Sequence, residues 1–140
     1  MTRGMSGSER ASEGILVVVD YHEAFPELAG VYLEDSWVLE IAPATDAVAL
    51  QLEAVLTPEH RLYCRPAPSV QHCYRTGWLE LTGDEIDVCS SRMRPHLDPD
   101  GSYDYGNIDS FTTAAQGEWK LDGGWGSARI TRPRLTLRLE

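Results

Sequence analysis

The chain has 140 residues, 42% of them apolar and 24% charged, with a formal net charge of −10. A chain of this size can bury one core without metals or disulfides, and no apolar run approaches the roughly 18 residues of a membrane span. The acidic pI of about 4.7 excludes sequence-independent nucleic-acid binding, which rests on Lys and Arg neutralising phosphates.

Residues 1–13 are polar, rich in Ser, Gly and Glu, and without periodicity. They read as a disordered tail ahead of a single β-rich domain over 14–140. They also lack the basic-then-apolar order of a secretion signal. The cysteines, Cys64, Cys73 and Cys89, are odd in number and show no C-x-x-C spacing. That argues against a disulfide framework and for a reduced, cytoplasmic setting. Residues 15–20 read as a strand or a first apolar anchor. Residues 21–30, with Pro26 and Gly30, read as a short helical turn or a loop.

Over 31–41, Val31, Leu33, Trp37, Leu39 and Ile41 fall on one face, and Tyr32, Glu34, Ser36 and Glu40 on the other. This period of two predicts a half-buried strand, with Asp35 as an intruder on the apolar face. Residues 46–56 carry Val48, Leu50, Leu52, Ala54 and Leu56 in alternation. Their Ala, Leu, Gln and Glu content also suits a helix, capped at Thr45 or Asp46, but the unbroken alternation favours a strand. Thr57-Pro58 ends the element either way.

Residues 60–70 read as a loop, and 70–81 as a strand with a bulge at Gly77. Gly83-Asp84 marks a turn before Ile86, Val88 and Ser90. The loop over 95–101 ends in Asp98-Pro99-Asp100-Gly101. Residues 103–113 are rich in aromatics and Thr. Two further runs, 116–121 and 125–131, flank Asp122-Gly123-Gly124, which predicts a hairpin with a type I′ turn. Leu135, Leu137 and Leu139 then alternate with Arg134, Thr136 and Arg138, with Pro133 at the entry of this last strand. Short strands at regular spacing predict a single-domain antiparallel β-sandwich or partly open barrel, with at most one or two short helices.

Four clusters carry candidate chemistry. Asp35, beside Trp37, is a candidate general acid or base if it points inward; a bulge that turns it outward is the plainer structural reading. His60, Cys64, His72 and Cys73 are soft metal-ligand types. Adjacent residues of a strand point to opposite faces, so His72 and Cys73 do not share an ion, and no metal or cofactor is expected. The third cluster is acidic: Asp98, Asp100, Asp104 and Asp109 around Asn107. Counted from Asp98, it places Tyr103 and Asp109 where a calcium loop needs Gly and Glu. It reads instead as a hairpin loop in which Asn107 and Asp109 bond to the backbone. The fourth is aromatic, Tyr103, Tyr105, Phe111, Trp119 and Trp125, suited to a core, a pocket or an interface. Arg129, Arg132, Arg134 and Arg138 read as a solvated strip that protects a sheet edge. The G-x-S-x-G, P-loop, H-E-x-x-H and G-x-G-x-x-G patterns are absent from the sequence.

The strings LEDSWVLEI, LTPEHRLYCRP, HCYRTGWLEL, YGNIDSF and LDGGWGSARI together resemble small bacterial β-rich proteins of unknown function, over residues 28–131. The resemblance implies a compact β-rich fold in a cytoplasmic bacterial setting, and no activity, cofactor or catalytic residue. Size and acidity alone are similar to those of bacterial immunity proteins.

The expected function is a non-enzymatic acidic binding module that recognises a basic protein partner, as an immunity-type inhibitor does, with charge steering the encounter. Its contacts are expected at Asp98, Asp100, Asp104, Tyr105, Asp109 and Trp125. The alternative is a small-molecule or enzymatic site built around Asp35, His60, His72 and Tyr74. A third reading pairs the C-terminal strands of two copies into a homodimer.

Overall fold

Alternation decides the contested segment 46–56. Val48, Leu50, Leu52, Ala54 and Leu56 are all buried, because a strand sends every second side chain to one face. A helix would spread the same five around its circumference, so burial overrides helix propensity. The computed structural model describes residues 20–89, 96–97, 99, 103–115 and 117–140. The tail over 1–13, the apolar run over 15–19, Ser90, Asp98 and Asp100 lie outside the described residues.

The strands are β1 (Val31–Pro43), β2 (Ala47–Leu56), β3 (Cys73–Thr82), β4 (Glu85–Cys89), β5 (His96–Leu97), β6 (Tyr103–Asp104), β7 (Ile108–Ala115), β8 (Glu118–Gly123), β9 (Gly126–Thr131) and β10 (Arg134–Leu139). They form two four-stranded antiparallel sheets, β1-β2-β3-β10 and β4-β9-β8-β7, and a two-stranded ribbon, β5-β6. The fold is a small β-sandwich. Leu33, Leu50, Leu79 and Leu81 of one sheet face Ile108, Phe111, Leu121 and Ile130 of the other in one core.

The sheets are joined along two lines. On one, β3 runs into β4 and β9 into β10, and the pairing passes without a shift from Thr82↔Arg134 to Glu85↔Thr131. This ladder bends at Gly83-Asp84 opposite Arg132-Pro133. The Asp84 amide donates to the Thr131 carbonyl at 2.9 Å, and the Arg132 guanidinium grips the Asp84 carboxylate at 2.5 Å. A side chain at Gly83 would collide with the Thr131 carbonyl and Ile130. On the second line, the Val38 amide donates to Gly106 and the Tyr105 amide to Val38, both at 2.8 Å.

A short helix, α1 (Tyr21–Ala24), and the 3₁₀ turn Pro26–Leu28 precede β1. Asp20 caps α1 by accepting from the His22 amide. Phe25 then stacks on Phe111 at 5.4 Å and meets Trp119 edge-on at 5.0 Å. This segment therefore packs on β7 and β8, while its 3₁₀ turn also touches β10.

Three sequence expectations are corrected. Gly77 is not a bulge, since the β2–β3 register passes through it unbroken and the β3–β10 register reaches it without a shift. Its bare Cα instead lets Leu139 and the Arg138 carbonyl approach closely. The β8–β9 hairpin forms, but it turns through Gly124-Trp125 between the pair Gly123↔Gly126. Positive φ falls at Gly126 and not at Gly123 or Gly124, so the turn is not type I′. Trp125, expected at a contact surface, is fully buried, because the turn folds its indole into the core.

Candidate functional site

The site begins with an irregularity in β1. Five steps lead from Tyr32 to Trp37, while their β2 partners Val55 and Glu53 are two apart, so β1 carries three extra residues. A second shift follows, because Val38↔Leu52 is succeeded by Glu40↔Gln51 and Leu39 is extra. Ser36 repairs the first gap. Its buried hydroxyl donates to the Tyr32 carbonyl at 2.8 Å and accepts from the Val55 amide at 3.0 Å. Tyr21 braces the same loop-out, donating to Glu34 at 2.5 Å and accepting from the Leu33 amide at 3.0 Å. Burial, then the Glu34 contact, pushes the Tyr21 hydroxyl well above the ordinary phenol range.

The bulge turns the local face over. Val38 is buried and Trp37 is 40% exposed, the reverse of simple alternation. Asp35 does not point into the core, since its side chain is 48% exposed. Bulges commonly re-aim a side chain in this way. The Asp35 carboxylate meets His72 Nε2 at 3.2 Å. His72 ends the connection between β2 and β3, and its ring stands edge-on to Tyr74 at 5.8 Å.

Asp35, Trp37, Gln71, His72, Tyr74 and Asn107 line a hollow of about 150 Å³. Asn107 is anchored by its side-chain amide, which donates to the Ile108 carbonyl and to Asp109, each at 3.3 Å. A second hollow, of about 190 Å³, shares Gln71 and His72 and continues over Tyr32, Tyr63, Pro58 and Pro66. The two form one shallow groove with an acidic end and an aromatic, Pro-lined end.

The sequence candidates divide. Asp35, His72 and Tyr74 come together. His60 does not join them; it lines a separate hollow of about 450 Å³ with Pro26, Arg61, Leu137 and Leu139. Burial, then Arg61 and Arg75, lowers the His60 pKa, and its Nδ1 accepts from the Leu62 amide at 3.0 Å. Of the expected contact set, Tyr105 is half-buried and Asp109 exposed, and Asp104 lies in β6. Sequence reasoning missed Gln71, and it gave Asn107 only a turn-bonding role and placed Trp37 on the buried face.

Two hydroxyl or thiol groups close to the groove already have backbone partners. The Ser36 hydroxyl is committed to two backbone groups, and the buried Cys73 thiol accepts from the Cys64 amide at 3.3 Å. Among the described residues no group of three or more His, Cys, Asp or Glu is placed to hold a metal ion, and no helix is long and apolar enough to cross a membrane. The chain matches no protein-family model, no curated protein and no solved structure. Its site is read from its own chemistry.

Proposed function

We propose that the protein is a non-enzymatic recognition module that binds a protein partner through the Asp35–His72 groove. The observation that carries this reading is the size and rim of the groove. Its two lobes, about 150 and 190 Å³, are each of side-chain size, and the shallow groove they form gives little of the enclosure that small-molecule sites use. They suit single side chains from a larger partner. Trp37 and Tyr32, each 40% exposed, supply residue types that dominate binding energy at interfaces. The net charge of −10 favours a basic partner and speeds its encounter. A reduced, cytoplasmic setting accords with the free Cys64, Cys73 and Cys89.

A second reading is favoured by the 450 Å³ hollow at His60, which is large enough for a small molecule. Native mass spectrometry of the protein purified gently from its source cells separates the two. A stoichiometric polypeptide that is retained by the wild type and lost on Trp37→Ala supports the groove. A small added mass that survives Trp37→Ala and disappears on His60→Ala moves the function to the larger hollow. A bare chain in every case overturns both.

A further inference from the structure

We infer that the Asp35 hollow receives an arginine side chain of the partner, an inference that rests on the protein-recognition reading above. Among the described residues lining the two hollows, Asp35 is the one Asp, Glu, Lys or Arg. Its charge therefore meets no Lys or Arg among the described lining residues. His72 engages Oδ2, and a carboxylate has about four lone-pair sites, so the group keeps capacity for donors from outside. The Trp37 and Tyr74 rings that share the hollow lower the local dielectric and strengthen such a contact.

Those rings also decide which cation fits. A guanidinium is flat, stacks on aromatic faces, and offers a fork of N–H groups matched to a carboxylate. A lysine ammonium is a strongly hydrated point charge that cannot stack and fork together. The side-chain amides of Gln71 and Asn107, which also line this hollow, add carbonyl oxygens of the kind that accept the remaining guanidinium protons. The adjoining hollow, with Tyr32, Tyr63, Pro58 and Pro66, suits an apolar neighbour of that arginine. The partner segment thus pairs an arginine with an apolar side chain, and the chain's net charge of −10 disfavours acidic competitors.

The test pans a displayed library of random peptides on the full chain, with counter-selection on Trp37→Ala. Arginine beside an apolar residue is expected among the Trp37-dependent binders. The best peptide is then synthesised with arginine and with citrulline, which keeps the shape and loses the charge. Calorimetry against wild type and Asp35→Asn completes a double-mutant cycle. Each single change is expected to weaken binding about tenfold or more, and the two together little further, since touching groups are not additive. Trp37-dependent peptides without arginine, or additive effects in the cycle, overturn the arginine assignment and leave the recognition reading standing. Failure to find any Trp37-dependent peptide overturns both.

Discussion

Strand β2 has two neighbours and treats them differently. Toward β3 it pairs in one register from Ala47↔Thr82 to Leu56↔Cys73 without a break. Toward β1 its register shifts twice within the same length. The regular side buries Leu50, Leu52, Leu79 and Leu81 completely. The irregular side puts Trp37 at the surface and Asp35 beside His72. The stable ladder and the proposed recognition surface are therefore separated across one strand, with the ladder on one side holding the scaffold and the bulge on the other presenting the groove.

The largest effect should come from breaking the regular side. Leu50 and Leu79 are partners across β2–β3 and both are fully buried. Either residue changed to alanine should cost about 2–5 kcal/mol, read by urea unfolding, because the tightly packed site relaxes only partly around the cavity. The double variant should lose less than the sum, since the two share a cavity. A loss below about 1 kcal/mol for either one would mean that this sheet does not carry the core.

Next in size is the repair of the bulge. Ser36→Ala strips a buried hydroxyl from the Tyr32 carbonyl and the Val55 amide. A loss of about 1–3 kcal/mol is expected from the unsatisfied groups, together with faster hydrogen exchange at Val55. Unchanged stability and exchange would show that water fills the gap as well as the hydroxyl does. Asp35→Asn should behave in the opposite way, with stability within about 0.5 kcal/mol of wild type, because the side chain is half exposed and away from the core. A large thermal destabilisation by Asp35→Asn would assign the Asp35–His72 contact to the scaffold instead of the groove.

This division explains what the sequence revealed. The alternation in β2 and β10 was legible because regular pairing preserves parity. In β1 the two shifts, of three residues and then one, together leave parity unchanged. Val31 and Ile41 therefore face the same way as in a plain strand, while Trp37 and Val38 between them are reversed. No count of apolar positions exposes such a defect. Asp35 stood out because a carboxylate broke the apolar face, and that oddity does mark the bulge. His72 and Tyr74 were named as candidates, but their meeting with Asp35 depends on the register of β3 against β2 and on the chain before it. His60 failed to join them because the turn after β2 packs it beside Pro26 and β10. Gln71 carries no local signal, being one ordinary polar residue in a loop.

The smallest expected effect concerns His60 and lies away from both sides of β2. Burial and the nearby Arg61 and Arg75 lower its folded pKa from the ordinary 6.5. The Leu62 amide at 3.0 Å needs a bare Nδ1 and so favours the same neutral ring. As pH falls below 6.5, the unfolded chain takes up a proton that the folded chain accepts only later. Stability is then complete above the unfolded pKa and declines as pH drops through the folded one. The lowered pKa values of Glu59, held by the Thr57 hydroxyl, and of Asp20, held by the His22 amide, act with the same sign. Their windows open only below 4.5 and 3.8 respectively, so of these three groups His60 gives the decline nearest neutrality. Urea unfolding at a series of pH values between about 7 and 5 should give a shallow slope in the wild type and a flatter one in His60→Gln. Parallel slopes would place the titrating group elsewhere and leave His60 without a part in the pH dependence.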